Sequence, residues 1–280
     1  MCLACDADYP VHDGIPVFLK SGSSGQENER NFRDRHAAAQ AGRDERALLD
    51  IVARHHSIPV MRERAAAFHA GLGASEWLAD IGVGYGWHWT RVKAGARILG
   101  IDLSLGNLRL AKRLLHDSDR VALVCADAGA LPVRSGAVSG IWSVQTFQHF
   151  PDHLLRRALG EIERVLGPKS VIEIYGLNPA LLHRILYRVA GKRLHQRGRV
   201  GEMELNRLSA REFKAAWHGF RGGASRISTG YSELFFHPDL GFCPAHYPVK
   251  LERLLAEKAP GLAALFARQV QVRIESQGIG

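Results

Sequence analysis

The sequence predicts an open α/β sheet with helices on both faces. Three observations predict it: short apolar runs that alternate with helical segments from Glu76 onward, a glycine-rich turn directly after the first run, and the composition of an ordinary globular chain. The runs are Trp77–Ile81, Arg97–Ile101, Val121–Cys125, Val138–Val144 and Ser170–Tyr175. They are short and continuously apolar, the pattern of strands covered on both faces, as parallel strands with crossover helices are. Helical patterns separate them near Trp87–Lys93, Leu105–His116, Asp152–Leu166 and Pro179–Ala190.

Two segments of different character precede this core. In residues 1–20, Cys2-x-x-Cys5 is followed by Tyr9-Pro10-Val11 and Asp13-Gly14-Ile15-Pro16-Val17, which resembles the second half of a small zinc-ribbon module. A structural zinc site takes four ligands, usually from two such knuckles, and one knuckle is present. The reading adopted is an ordered tail docked through Tyr9, Ile15 and Phe18, with no metal assigned. Residues 21–75 read as linker and helical cover. Ser21 to Gln26 is Gly/Ser-rich, and Ala- and Arg-rich stretches such as Arg43 to His55 and Val60 to Gly71 read as helices outside the sheet, one use being a lid over a ligand.

After the core, Ser209–Trp217 reads as a helix in which Ser209 is the N-cap and Glu212 completes a capping box. A strand-like stretch from Arg226 to Phe236, two short helices near Val249–Glu257 and Gly261–Phe266, and a last strand at Gln269–Ile274 follow, so that an antiparallel pair closes the sheet. The main domain is expected over residues 76–280, with an insertion at about 192–250.

The chain has 280 residues, 46% hydrophobic and 23% charged, which excludes disordered, collagen-like and disulfide-scaffold classes. No run approaches the roughly 18 apolar residues of a bilayer crossing, and the N-terminus lacks a basic-then-apolar leader. No membrane span and a cytoplasmic location are therefore expected. The four cysteines, Cys2, Cys5, Cys125 and Cys243, are too few and too uneven for a disulfide framework and agree with a reducing compartment. A net charge of +9 raises phosphate-bearing partners, although the charge is scattered as on a solvated surface.

The first run leads through Asp80-Ile-Gly82-Val-Gly84-Tyr-Gly86 into a predicted helix. Glycines let a backbone approach a ligand closely, and a helix start offers unpaired N–H groups. A dinucleotide turn requires Gly-x-Gly-x-x-Gly, and the position of its third glycine is Trp87. The observed Gly-x-Gly-x-Gly, with an acid two residues ahead, resembles the first motif of class I S-adenosylmethionine-dependent methyltransferases. Later signals keep that family's order. Gly100-Ile101-Asp102-Leu103-Ser104 places a carboxylate 22 residues after Asp80, and Cys125-Ala126-Asp127-Ala128 precedes Leu131-Pro132-Val133. Gln145-Thr-Phe-Gln148-His149-Phe150-Pro151-Asp152 is similar to the family's histidine-ending strand-loop in its glutamine-bearing variant. Glu161-Ile-Glu163-Arg164-Val165-Leu166, then Gly167-Pro168-Lys169, matches the helix and turn before strand five. The resemblance spans Glu76 to Leu177.

This resemblance implies a Rossmann-like, seven-stranded, mostly parallel sheet with an antiparallel last strand, and S-adenosyl-L-methionine as cofactor. It implies that Asp80 orients the methionine amino group, that Gly82, Gly84 and Gly86 wrap the methionine and ribose, and that Asp102 accepts both ribose hydroxyls. Leu103 then packs on adenine, Asp127 and the Ala128 N–H read its edge, and Gln145 lies at the methionine portion. Any one of these aspartates alone reads equally well as a turn or helix cap, and it is their common register that favours the binding role.

Moving a sulfonium methyl group in line requires alignment and exclusion of water, with a base only where the acceptor must lose a proton. His149 is the titratable side chain on the acceptor side of this motif, and an ordinary pKa of about 6.5 suits a base at neutral pH. The competing reading has it packing over the cofactor or capping the helix near Asp152. His237, Cys243 and His246 lack a partner knuckle and read as loop, and Trp87 and Trp89 read as core. Arg226, Tyr231, Tyr247 and Lys250 lie in the insertion without individual assignment. The Asn/Asp-Pro-Pro-aromatic tetrad of nucleobase amino methyltransferases is replaced by Gln145-Thr-Phe-Gln148. The helical cover and the insertion point to an enclosed site for a small or medium metabolite, with O-methylation as the first reading. RNA is the alternative acceptor, motivated by the net charge and the Arg-rich segment Lys192–Arg207. A non-catalytic regulatory protein that binds the same cofactor is the second alternative. Nothing in the sequence speaks to oligomeric state.

Overall fold

Seven strands make one sheet in the computed structural model, which describes residues 8–19, 26–92, 95–116, 119–217, 225–244 and 246–276. They are β1 (Trp77–Ile81), β2 (Arg97–Asp102), β3 (Val121–Cys125), β4 (Val138–Val144), β5 (Leu166–Leu177), β6 (Ser225–Ser232) and β7 (Gln269–Ser276). Their spatial order is β6-β7-β5-β4-β1-β2-β3. Strands β1 to β5 are parallel, and β7 runs antiparallel to both β5 and β6. This is the Rossmann-like arrangement expected. The chain order reverses direction at β1, where β4 lies on one side and β2 on the other, and ligands of open α/β sheets bind at such a switch point, beyond the carboxyl ends of the strands.

The helices are α1 (Glu27–Ala38), α2 (Glu45–Ala53), α3 (Ile58–Ala70), α4 (Leu105–Leu115), α5 (Asp152–Val165), α6 (Leu181–Val189), α7 (Ala210–Ala216), α8 (Val249–Lys258) and α9 (Pro260–Phe266). Alternate residues of β1 serve opposite faces. Ala79 and Ile81 join the core under α5, whose Leu154, Ala158, Ile162 and Val165 form one helical stripe, while Leu78 joins the core under α2, α3 and α4. Because both faces are covered, the strands need not alternate in polarity, which is why they read as continuous apolar runs. Helix α7 begins with the expected capping box: the Ser209 N–H donates to Glu212 Oε2 at 2.8 Å and the Glu212 N–H to Ser209 Oγ at 3.3 Å.

The tail docks as expected. Ile15 is buried, the Tyr9 and Phe18 rings lie 4.7 Å apart, and the Phe18 N–H donates to the Cys125 carbonyl at 2.8 Å, beside a parallel bridge from Val17 to Cys125. It thereby covers the outer edge of β3, which would otherwise present unpaired backbone groups. Cys2, Cys5 and the linker up to Gly25 lie outside the described residues. Among the described residues no helix is long and apolar enough to cross a membrane.

Two expectations are corrected. The glycine turn does not enter an α-helix over Trp87–Lys93: the chain makes one 3₁₀ turn, Trp87–Trp89. Three consecutive rings, Trp87, His88 and Trp89, are all buried, and a surface helix has only one inward face for them. Gly167-Pro168-Lys169 is not a turn between helix and strand but the first part of β5, which starts at Leu166. A register shift between Val138 and Gly140 leaves Pro168 outside the paired positions, where its missing N–H costs no ladder bond.

Candidate active site at the carboxyl rim of the sheet

The turn after β1 holds its shape through the neighbouring strand. Gly82 and Val83 donate to the Ile101 carbonyl at 2.8 and 3.0 Å. Gly82 has φ 76°, and a Cβ built there would lie 2.0 Å from Thr146 Oγ1 in the loop after β4, so glycine is required on both counts. Gly84 and Gly86 also have positive φ, and the space beside Gly84 is open.

Asp102 closes the turn from β2. Its Oδ2 accepts from the Gly84 N–H at 2.9 Å, and its Oδ1 accepts from the Ser104 N–H at 2.8 Å and from Asn107 Nδ2 at 3.4 Å. A carboxylate offers about four acceptor positions, so one remains at Oδ2. Burial pushes the Asp102 carboxyl above its ordinary range, while the two backbone donors and Arg33 act against that rise. At the end of β3, Asp127 Oδ1 accepts from the Gly129 N–H at 2.8 Å in a local turn. Leu103 is half-buried, and Ala128 is buried beside Asp127.

Asp80 is completely buried, and its Oδ2 accepts from His88 Nε2 at 2.8 Å and Trp89 Nε1 at 2.7 Å. Its Oδ1 has no hydrogen-bond partner among the described residues. Directly after the adjacent strand β4, Gln145 takes φ 55°, donates its backbone N–H to the Tyr175 carbonyl at 2.8 Å, and keeps a buried Nε2 without a partner among the described residues. A non-glycine residue in this region is held there by its surroundings, and such strain gathers at functional sites.

His149 stands in the 3₁₀ turn Phe147–His149. Its Nδ1–H donates to the Glu204 carbonyl at 2.7 Å, and Nε2 lies 3.4 Å from Gln148 Nε2. Burial, with Arg33 adding to it, pulls the imidazole down to about 3, so at neutral pH it is uncharged, keeps its Nδ1–H and takes up no second proton. The premise of an ordinary histidine pKa at this position is thereby corrected.

Several supports had no signal in the sequence. Helix α1 reaches over this rim: Asp34 Oδ1 accepts from Ser104 Oγ at 2.6 Å and from the Gly106 N–H at 3.0 Å, and Arg33 acts electrostatically on both Asp102 and His149. Arg35 pairs with Glu202 in the hairpin Arg199–Val200/Met203–Glu204, whose Glu204 receives the His149 N–H. From α5, Arg164 donates to the carbonyls of Leu131 and Val133 at 3.0 and 2.7 Å, and Glu161 accepts from the Leu131 N–H at 2.6 Å, bracing the loop after Asp127. These partners lie 30 to 167 residues apart in the chain, beyond any local pattern. His237 Nε2–H donates to the Leu234 carbonyl at 3.0 Å, and among the described residues no three His, Cys, Asp or Glu side chains gather as a metal site. Trp87 and Trp89 are core.

Residues 79–174 match the family model described as a methyltransferase domain. A malonyl-[acyl-carrier protein] O-methyltransferase of Methylovorus sp. (strain MP688) is 31% identical over 121 residues, 40% of each chain, so this chain spans about two-fifths of that relative's length. Among solved structures, a chain of the complex between the Haloferax volcanii Trm112 methyltransferase activator and its methyltransferase superposes with a TM-score of 0.56 at 18% identity, covering 88% of this chain and 96% of that one. A Thermotoga maritima SAM-dependent methyltransferase gives 0.56 at 15%, covering 90% and 100%, and the Streptomyces coelicolor geranyl diphosphate C-methyltransferase, bound to S-adenosyl-L-homocysteine, gives 0.54 at 15%, covering 92% and 99%. The structural likenesses show the class I methyltransferase fold, and the family match marks residues 79–174 as a methyltransferase domain.

Proposed function

We propose that the chain transfers a methyl group from S-adenosylmethionine to a small or medium metabolite, and that the acceptor is an oxygen which enters already ionised. The observation that carries this reading is the gathering of Asp80, the Gly82–Gly86 turn, Asp102 and Asp127 on one rim of the sheet, with open space beside Gly84. Two buried groups, Asp80 Oδ1 in β1 and Gln145 Nε2 directly after the neighbouring β4, are an unmatched acceptor and an unmatched donor among the described residues. Such groups cost free energy until something completes them, and the ammonium and carboxylate of a methionine end offer the complementary pair, directly or through water. The residues therefore fit the cofactor, which when bound supplies a sulfonium methyl group.

In this reading Asp102 Oδ2 has room for one ribose hydroxyl rather than two, because its other positions are taken by Gly84, Ser104 and Asn107. Leu103 packs against the adenine, and Asp127 with the Ala128 N–H meets its edge. Gln145 faces the methionine portion, and α1 limits access of water from above. His149 is the acceptor-side candidate. As a neutral imidazole that gives up protons above pH 3 it aligns an acceptor and holds the hairpin, but it is a poor store for an acceptor's proton. An acceptor that is already an anion needs no such store, and O-methylation draws support from the name of the relative from Methylovorus.

Calorimetry with S-adenosyl-L-homocysteine tests the cofactor site. The chain should bind it, and Asp102→Asn should weaken binding by roughly 10- to 100-fold, the value of one or two hydrogen bonds to a charged group. Absence of heat with this ligand alongside tight NADH binding overturns the reading. Comparison of metabolite extracts before and after incubation, searched for masses separated by one methyl group, then finds the acceptor. With that acceptor the rate should be flat from pH 6 to 8, and His149→Gln should lower it through alignment. An inflection near pH 6.5 that His149→Gln abolishes would restore a general base. RNA as acceptor instead predicts binding that falls steeply with salt.

A further inference from the structure

A cavity of about 410 Å³ lies on the acceptor side, between the end of α6 and the chain that follows the Arg199–Glu204 hairpin, with Tyr187, Lys192, Arg193, His195, Arg207 and Asp239 in its wall. Its position follows from the backbone. The Asn206 N–H donates to the Gln148 carbonyl at 2.6 Å, Asn206 Nδ2 to the Phe150 carbonyl at 3.3 Å, and Glu204 receives the His149 N–H. Residues 204–206 thus run along the loop after β4, and Arg207 follows them directly into the cavity wall.

Arg207 is the unusual member. Its Nε donates to the His195 carbonyl at 2.8 Å, but neither terminal nitrogen has a carboxylate in ion-pairing reach among the described residues. Arg207 is half-buried, and burial, with Arg268 adding to it, pulls its pKa down to about 10 while Tyr187 and Asp239 act against that fall. A partly desolvated cation without an ion pair gains from an anion that joins it. Lys192 and Arg193 add two exposed cations at the rim, and Lys192 donates to the Asp239 carbonyl. The one carboxylate in the wall, Asp239, is occupied by the Tyr187 hydroxyl. Three cations face one carboxylate, an excess close to the charge of a phosphate monoester, and a guanidinium fork matches the oxygens of a phosphate.

We infer that this cavity binds a phosphate or diphosphate group carried by the small-molecule methyl acceptor. The word acceptor rests on the function proposed above, whereas the anion site rests on these residues alone. The volume holds such a group with part of the organic body that bears it, and the path from Arg207 back along residues 206–204 to His149 directs that body toward the β4 loop.

The test is calorimetry on the full chain with sodium diphosphate as probe, with and without S-adenosyl-L-homocysteine. Diphosphate should bind the chain, Arg207→Gln should weaken it by about 10-fold or more, and Arg207→Lys should fall between. Arg193→Gln, at an exposed position that leaves the buried packing intact, should weaken it by about 3-fold. Affinity for S-adenosyl-L-homocysteine should stay within about 2-fold in all three, which shows that they are folded. The inference is overturned if the chain does not bind diphosphate at millimolar concentration, if Arg207→Gln and Arg193→Gln bind it as well as the parent, or if malonate binds more tightly than diphosphate. It is also overturned if an oligoribonucleotide displaces diphosphate with an affinity that grows with its length, which would make the cavity part of an RNA track. Diphosphate binding that depends on Arg207 in a chain that ignores S-adenosyl-L-homocysteine would sustain the anion site and sink the cofactor reading. Binding of that nucleotide without diphosphate would do the reverse.

Discussion

Gly82 and Gly84 look alike in the sequence, yet the structure assigns them different duties. At Gly82 a methyl group would collide with Thr146, and φ is positive besides, so Gly82→Ala should destabilise the fold by about 2–4 kcal/mol, read as a shifted urea midpoint. At Gly84 a methyl group meets nothing within 4 Å, so Gly84→Ala should cost only about 1–2 kcal/mol of backbone strain. It should nonetheless reduce S-adenosyl-L-homocysteine affinity, because the methyl enters the space left for a ligand. Equal stability losses in the two variants would contradict this division. The positions of Asp80, Asp102 and Asp127 were legible because each closes a short apolar run. What Asp80 touches was not: its two donors, His88 and Trp89, follow a glycine turn whose path no periodicity describes.

At the scale of elements, α1 is the part whose existence was readable and whose purpose was not. Its composition marks a helix, but only the fold brings Asp34 to the start of α4, where it accepts from the N-cap hydroxyl of Ser104 and from the Gly106 N–H. A carboxylate at a helix N-terminus meets unpaired donors and the positive end of the dipole. Gly106 permits the approach, since a Cβ there would lie 2.8 Å from that of Ala37. Asp34→Ala should therefore cost about 1–2 kcal/mol and speed amide exchange over residues 27–38 more than over the sheet. Unchanged exchange in α1 would mean that the helix is held by other contacts. The same limit explains the short turn at Trp87–Trp89: a helical composition was present, but the pull of a buried carboxylate on two aromatic N–H groups is a tertiary fact.

For the whole molecule, the histidines decide the response to acid. Burial is the leading cause that lowers His149 to about 3 and His183 to about 4, and it also lowers His55, His56 and His237. Unfolded histidines titrate near 6.5, so as pH falls below that value the unfolded chain takes up protons that the folded chain refuses, and stability drops until the folded pKa values are reached. Each such histidine contributes about 1.4 kcal/mol per pH unit inside its window, and His149 and His183 together give a slope of about 2–3 kcal/mol per unit near pH 5. The raised carboxyls of Asp102 and Glu233 oppose this, since they bind protons more readily when folded. The urea midpoint should be clearly lower at pH 5 than at pH 7.5, and an equal or higher midpoint at pH 5 would show that these rings are hydrated. The sequence by itself determined the parallel sheet, its closing antiparallel pair, the glycine turn and the three strand-end carboxylates, because strand burial and turn chemistry are local and leave a pattern along the chain. Only the tertiary structure decided how α1 caps α4, that His149 is neutral, and that Arg207 lines a cavity in which cations outnumber carboxylates, because solvent exclusion and charge pairing depend on which distant segments the fold brings together.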